Sequence, residues 1–287
     1  MYRIKQHILI LSLVILAFCA NIQFVAGQGS TSSRFAAADE RVSVVTKQLI
    51  FQPQLLVDQL TDGFTNDYDK TRAIYAWIAR NVSYDLFAYK HSRYEGQTVN
   101  GVLRSGKALC SGYSMVMQYF CSLAGIRCEI MEGYAKGYGY RKNQQFKTSN
   151  HAWNAVFIHS AWYFLDVTWA SGVPQELSGQ KQVTDLDSYF LIPPEKLILT
   201  HLPEDPSWQM LPRKISLREF ETGLPDPGLD PETVCQSCTP DDYEDMNEFD
   251  ADILRYKRSL AFNLRHHGLR YRLAFAFVYK AISITDG

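Results

Sequence analysis

The sequence predicts a protein of the α+β class, in which helices come first along the chain and antiparallel strands follow. Apolar residues recur at helical spacing over residues 67–81 and again over 110–125. Residues 127–137 alternate in the manner of a strand, and residues 151–170 are dense in aromatic and β-branched side chains, which is typical of a hairpin. Residues 86–107 show no clear period and are predicted to form a loop.

The two helices have recognisable beginnings and ends. Asp67 or Asp69 can cap the first helix, which is predicted to end near Asn81. The second helix starts at Cys110, and Gly125 is a typical residue to end it. The predicted buried faces are Ala73, Ile74, Trp77 and Ile78 in the first helix and Met115, Val116, Tyr119, Phe120 and Leu123 in the second.

The hairpin carries the most informative geometry. A two-residue turn at 159–160 pairs Ile158 with Ala161, so the numbers of cross-strand partners add up to an odd number. His151 and Asp166 then lie on the same face as diagonal neighbours, close enough for an imidazole to reach a carboxylate. A register shift of one residue would place them on opposite faces, so the prediction depends on the turn.

The charge balance argues against nucleic acid as a partner. The formal net charge is −1, and removal of the first 27 residues leaves 27 basic and 30 acidic side chains. A protein that binds a polyanion generally carries a basic surface, and neither balance indicates one.

The N-terminus is typical of a secretory signal peptide. Arg3 and Lys5 precede an apolar run from Ile8 to Ala20, and small residues lie before a plausible cleavage site ahead of Gln28. We therefore predict a signal peptide over residues 1–27, a secreted or periplasmic protein, and no membrane span after cleavage. An uncleaved anchor is the rival interpretation, although the polar second half of the segment makes a poor bilayer span.

Export bears on the cysteines, because thiols tend to pair in an oxidising compartment. Five cysteines follow the predicted signal peptide, so at least one is free, and the sequence leaves the pairing open. For Cys121 and Cys128, buried free thiols are favoured over a disulfide. Cys235 and Cys238 could be half a zinc site that distant histidines such as His266 and His267 would complete, but in an exported protein a disulfide is favoured.

Cys110, His151 and Asp166 together form the parts of a thiol-based acyl transferase. The N–H groups at a helix start favour a thiolate, an imidazole can take the thiol proton, and a carboxylate orients the imidazole. Each residue also has a structural interpretation, since unpaired cysteine is often buried and histidine in an aromatic hairpin is often a packing residue. His159 and His201 are predicted to be exposed and without a chemical role.

The motifs "ALCSGYS", "SNHAWNAV" and "WYFLDVTW", in this order, resemble the transglutaminase-like superfamily, and the kyphoscoliosis-peptidase type in particular. The similarity extends over residues 55–212. It implies a papain-like fold in which the nucleophile helix packs on an antiparallel sheet, and chemistry that needs no cofactor or metal. Carried over to this sequence, it implies Cys110 as nucleophile, His151 as base and Asp166 as the orienting carboxylate.

The resemblance also sets the expected organisation and activity. We predict a leader over 28–54, the core over 55–212, and a linker with a helical extension over 213–287. The predicted function is exported, thiol-dependent acyl transfer on protein or peptide amides, with hydrolysis favoured over cross-linking. Papain-like enzymes often add an upstream side chain at the oxyanion, and Gln97 and Asn100 are candidates by residue type. The alternative is a binding or scaffold module with little or no turnover; the sequence leaves the oligomeric state open.

Overall fold

The structure, a computed structural model, describes residues 34–45, 47–172, 184–225, 235 and 237–285. Residues Ala37–Gly287 make up one compact unit, to which the following description applies. The predicted signal peptide lies outside the described residues. Within them, no helix is both long enough and apolar enough to cross a bilayer.

Helices predominate before the central sheet, with the short strands β1 and β2 between them. The α-helices are α1 (Ala36–Val44), α2 (Pro53–Thr61), α3 (Asp67–Asn81), α4 (Leu86–Lys90), α5 (Val99–Ser105), α6 (Cys110–Leu123), α7 (Val167–Ala170), α8 (Pro194–Leu197), α9 (Leu217–Thr222), α10 (Glu248–Phe262) and α11 (His267–Thr285). The strands are β1 (Ser83–Tyr84), β2 (Lys107–Ala108), β3 (Cys128–Ala135), β4 (His151–Ile158), β5 (Ala161–Leu165) and β6 (His201–Pro203). Short 3-10 helices occur at Lys47–Phe51, Pro206–Gln209 and Pro240–Tyr243.

The central sheet has four antiparallel strands in the order β5-β4-β3-β6. The predicted hairpin is confirmed, since Ile158 pairs with Ala161 and both turn residues, His159 and Ser160, have positive φ. Positive φ at both positions is the geometry that matches the twist of the flanking strands. β5 ends at Leu165, earlier than predicted, because the next residue caps α7.

The predicted loop over residues 86–107 is wrong, because this stretch contains α4 and α5. Each helix starts at a side-chain cap: Asp85 accepts the N–H of Ala88, and Thr98 accepts that of Gly101. The helices are five and seven residues long, which is too short for a helical period to stand out in the sequence.

Both faces of the sheet are covered, which is why β4 is almost entirely apolar. On one face α6 packs across β3 and β4, and the buried Asn154 amide donates to the Ser114 carbonyl oxygen at 3.1 Å. On the other face Trp153 joins a core cluster with Phe164 and Trp208. The predicted α+β fold, with the helix that begins at Cys110 packed on an antiparallel sheet, is confirmed.

The C-terminal helices also contribute to the core. Phe262, at the end of α10, packs in a cluster with Tyr134, Phe146 and Leu202. The Asn263 amide donates to the Tyr134 hydroxyl at 2.8 Å, so α10 is anchored to β3 by a buried hydrogen bond as well as by apolar contact. α10 and α11 pack against each other.

Arg72 on α3 is a buried charge that ties three parts of the chain together. Its guanidinium donates to both carboxylate oxygens of Asp39 at 2.7 and 2.9 Å, to Asp187 at 2.8 Å and to the Leu186 carbonyl at 2.8 Å. Its side chain is only 1% exposed. Removing one partner of a buried ion pair leaves the others unpaired, which is costly.

We expect Arg72→Met to lower the free energy of unfolding by about 3 kcal/mol, measured by urea denaturation. This lies at the low end for a buried pair because the carboxylate of Asp187 is mostly exposed. Arg80→Met is the matched control, since exposed Arg80 on the same helix donates only to the Asp39 carbonyl, and we expect a loss below about 1 kcal/mol. Equal losses in both variants would contradict this role for Arg72.

Candidate active site

Cys110 is the first residue of α6, as predicted. The preceding residue, Leu109, has no acceptor in its side chain, so it does not cap the N–H groups of the first turn. The His151 side chain and the Ala152 backbone N–H are the groups that lower the pKa of the thiol, so both lie beside it. Cys110 therefore meets a helix N-terminus on one side and the start of β4 on the other.

His151 and Asp166 are hydrogen-bonded to each other. His151 is the first residue of β4, and Asp166 directly follows the last residue of β5. Nε2 of the imidazole is 2.7 Å from Oδ2 of the carboxylate. Asp166 is fully buried and also caps α7, where its Oδ1 accepts the N–H of Trp169 at 3.0 Å. The structure thus joins His151 and Asp166 by a hydrogen bond and places the Cys110 thiol beside His151.

The pKa values shift in the directions that a thiolate–imidazolium pair requires. Burial by itself would raise the pKa of the Cys110 thiol, but the hydrogen bond and charge of His151 outweigh burial and lower it. Burial likewise opposes the charged form of His151, yet the adjacent Asp166 carboxylate raises the pKa of the imidazole to about 10. The pKa of Asp166 itself lies below its usual range, because two imidazoles outweigh the effect of burial.

The prediction that His201 is exposed is wrong. His201 is 1% exposed and its Nε2 lies 3.1 Å from Oδ2 of Asp166, the same oxygen that faces His151. It lies on β6, a strand of only three residues, which is too short to show an alternating pattern. Its place in the site is decided by the pairing of β6 with β3, where it stands opposite Ala135. His159 is exposed at the turn, as predicted.

The ligand atoms of His151, Asp166 and His201 lie within 4.8 Å of one another, a set that could hold a metal ion. Their separations of 2.7 and 3.1 Å from one carboxylate oxygen are hydrogen-bond distances. Two imidazole N–H groups that donate to that oxygen account for the arrangement without an ion.

Of the two predicted oxyanion candidates, only Gln97 contacts the residue that precedes Cys110. Asn100 is exposed on α5, whereas Gln97 is 9% exposed and its Oε1 accepts the N–H of Leu109 at 2.7 Å, next to Cys110. That bond assigns oxygen to one side of the amide, so the amide nitrogen faces away from Leu109. Among the residues that the structure describes, this nitrogen has no hydrogen-bond partner, and it is not one of the fully buried unpaired atoms.

The rings around the histidines form the wall of the site. Trp153 is 1% exposed, and its ring centroid is 5.1 Å from that of His201. Trp169, which the sequence interpretation missed, lies 4.2 Å from His201 and 5.6 Å from His151 between centroids. Its position directly after the Asp166 motif is the signal that could have indicated it.

The other described cysteines do not take part in the site. Cys235 and Cys238 form a disulfide, which bears out the favoured interpretation over half a zinc site. Cys121 and Cys128 are buried free thiols in contact with each other, as favoured from the sequence. Burial, together with the neighbouring thiol, raises the pKa of Cys128 well above its usual value.

Comparison with known proteins identifies the domain that carries the site. Residues 54–167 match the family model of the transglutaminase-like superfamily. The kyphoscoliosis peptidase of Homo sapiens is 32% identical over 188 residues, which cover 64% of this chain and 28% of that protein. Hillarin of Drosophila melanogaster is 34% identical over 179 residues, which cover 58% of this chain and 22% of that protein. The solved structure of a TGase is 19% identical, with a TM-score of 0.32 over 57% of this chain and 38% of its own.

The chain therefore spans less than a third of the length of these curated relatives. The matched region includes Cys110, His151 and Asp166. The resemblance predicted from the sequence motifs is confirmed, and residues 54–167 are a domain of the transglutaminase-like superfamily.

Proposed function

We propose that this protein is a thiol-dependent acyl transferase that acts on protein or peptide amides, with hydrolysis favoured over cross-linking. The observation that carries the proposal is the 2.7 Å hydrogen bond between His151 and Asp166, with the Cys110 thiol beside the same imidazole, which lowers the pKa of the thiol. A thiolate is the reactive form of cysteine, and this arrangement stabilises both the thiolate and the imidazolium beside it.

The proposed reaction has two steps. Cys110 Sγ attacks the amide carbonyl carbon, His151 donates its proton to the leaving nitrogen, the C–N bond breaks, and a thioester forms. Water then gives a proton to His151 and attacks the thioester carbon, the C–S bond breaks, the carboxylic acid leaves, and the Cys110 thiolate and His151 imidazolium are restored. Since Nε2 of His151 faces Asp166, Nδ1 is the ring nitrogen left to exchange protons with Cys110 and the substrate.

Gln97 completes the proposed site. The negative charge that develops on the carbonyl oxygen needs N–H donors at fixed positions. The backbone N–H of Cys110 at the start of α6 is one donor, and the amide nitrogen of Gln97 is the second. Because the bond from Leu109 fixes the Gln97 amide, the donor is held before substrate arrives.

Two arguments favour water over an amine as the acceptor. Water is the abundant acceptor outside a cell, which is where the predicted signal peptide would direct the protein. The human relative is named a peptidase, which is consistent with hydrolysis. The matched region covers less than a third of each of these relatives, so their substrates are not assigned to this chain. Protein and peptide amides are proposed from the chemistry of the site.

The proposal is tested by the pH dependence of alkylation of Cys110 with iodoacetamide. Thiolate forms as pH rises through the pKa of the thiol, so the lowered pKa of Cys110 moves the rise in rate to lower pH. We expect the native protein to react at about pH 6 at least roughly tenfold faster than His151→Ala, because an ordinary thiol with a pKa near 8.5 is almost entirely protonated there.

Controls come from the chain itself. Cys121 and Cys128 are buried and free, so mass spectrometry should find them alkylated only after unfolding. Cys110→Ala should abolish the fast labelling and any amidase activity while keeping the melting temperature. If native Cys110 reacts no faster at this pH than the His151→Ala protein, the enzyme proposal is wrong, and the binding or scaffold module becomes the better interpretation.

A further inference from the structure

Asp166 is bonded by two histidines, and the proposed reaction uses only one of them. Nε2 of His151 lies 2.7 Å from Asp166 Oδ2, and Nε2 of His201 lies 3.1 Å from the same oxygen. Asp166 and His201 are 0% and 1% exposed, so water does not compete for these bonds. Buried polar side chains generally need hydrogen-bond partners, and the buried His201 finds its partner in Asp166.

The protonation of His201 follows from its partners. An ionised carboxylate only accepts hydrogen bonds, so His201 must carry its proton on Nε2 to bond Asp166. Nδ1 of His201 lies 2.9 Å from the Thr200 hydroxyl, which can donate to it. Burial and the charge of His151 outweigh the Asp166 carboxylate and lower the pKa of His201, which favours the neutral ring, and its partners place the proton on Nε2.

Three N–H groups therefore fix both oxygens of Asp166. The Trp169 backbone N–H bonds Oδ1 at 3.0 Å, while His151 and His201 converge on Oδ2. With His201 removed, rotation of the carboxylate about its last torsion would be limited only by Trp169 and by His151, the group that must be held. An independent donor on Oδ2 sets the position of the oxygen before His151 bonds to it.

We propose that His201 is a positioning residue: its neutral Nε2–H holds Asp166 Oδ2 and, through that oxygen, orients the His151 imidazole against Cys110. This inference rests on the proposed function, since it assigns His201 a part in the same proton transfer. His201 does not touch the thiol or the substrate and exchanges no proton in the reaction.

The test compares two amides in place of the imidazole. In His201→Gln the side-chain nitrogen extends about as far from the backbone as Nε2 of histidine, whereas in His201→Asn it extends about as far as Nδ1. We expect His201→Gln to keep the alkylation rate of Cys110 at about pH 6 within roughly 1.5-fold of the native protein. We expect His201→Asn to lose on the order of tenfold, as is typical when a group that orients a functional imidazole is removed.

A double-mutant cycle separates positioning from packing. Because His201 acts through the carboxylate, His201→Asn should have little further effect on the alkylation rate in an Asp166→Asn background. Thr200→Val, which removes the partner of Nδ1, should slow alkylation about threefold without unfolding the protein, and it decides the question if His201→Asn does not fold.

The outcomes are distinguishable. Fast alkylation of native Cys110 with native rates in the His201→Asn and Thr200→Val variants would overturn the role of His201 and leave the proposed function standing. Equal losses in His201→Asn and His201→Gln, with matching falls in melting temperature, would show a packing residue and overturn it too. Slow alkylation of native Cys110 would instead overturn the proposed function itself.

Discussion

Asp166→Asn is expected to lower amide turnover by about three to four orders of magnitude, the largest effect of any conservative change outside the nucleophile. The carboxylate accepts two imidazole N–H groups on Oδ2 and a backbone N–H on Oδ1. An asparagine has only one acceptor oxygen, so its amide NH2 must face either the two histidines or the Trp169 N–H. Either choice leaves buried donors facing each other, and neither supplies the negative charge that stabilises the His151 imidazolium.

The pH profile of Cys110 alkylation should change in the same variant. The Asp166 charge raises the pKa of His151, so its loss lowers the pKa of the imidazole and weakens the support for the thiolate. The rise of the alkylation rate should therefore move to higher pH, toward that of an ordinary thiol. Turnover can be followed as amino groups released from an unfolded protein.

Asp67→Asn is the matched control for Asp166→Asn. Asp67 lies in the first turn of α3, where its side chain is 42% exposed and forms an ion pair with Lys70. We expect it to change turnover and the alkylation profile by less than about twofold. Native turnover in Asp166→Asn would contradict the assignment of Asp166 as the group that supports His151.

Gln97→Glu is expected to reduce amide turnover by about a hundredfold or more, because it removes one donor from the developing oxyanion. The substitution keeps an oxygen that can accept the Leu109 N–H, and it replaces the amide nitrogen with an acceptor. A carboxylate oxygen beside a developing negative charge repels it. Gln97→Ala should show a loss of similar size, with an added cost in stability of about 1–2 kcal/mol from the unpaired Leu109 N–H.

Alkylation gives the control that isolates this role. Attack of a thiolate on iodoacetamide displaces iodide and develops no charge on a carbonyl oxygen, so it needs no oxyanion donor. In Gln97→Ala we therefore expect a large loss of turnover with an alkylation rate within about threefold of the native value. Asn100→Ala should affect neither, since Asn100 is exposed. Parallel losses of turnover and alkylation would show that Gln97 acts on the thiol and is not the oxyanion donor.

The sequence predicted those parts of the fold that depend on contacts between near neighbours. α3, α6 and β3 all lie where the periodicity of apolar residues indicated them. The cap of α3 is Asn66, one residue before the predicted Asp67, because a short polar side chain at either position can accept a first-turn N–H. The short capped helices α4 and α5 escaped prediction because a helix of one or two turns has no measurable period.

The sequence also determined that His151 and Asp166 are neighbours. A two-residue turn fixes the register of a hairpin, and the register fixes which side chains share a face. The turn at His159 and Ser160 is local, so no knowledge of the rest of the fold was needed. The start of α6 at Cys110 could also be predicted from local sequence, because a glycine-rich turn precedes it and an apolar helix face follows it.

Only the tertiary structure decided what surrounds this pair. β6 is too short to be recognised, and its pairing with β3 alone brings His201 from a proline-rich segment onto Asp166. Gln97 reaches the Cys110 turn because α5 and α6 pack together, which no spacing in the sequence records. Side chains on one element or hairpin are placed relative to each other by local backbone geometry. His201 and Gln97 are placed instead by the packing of separate elements against each other, so their positions are decided only when the chain folds.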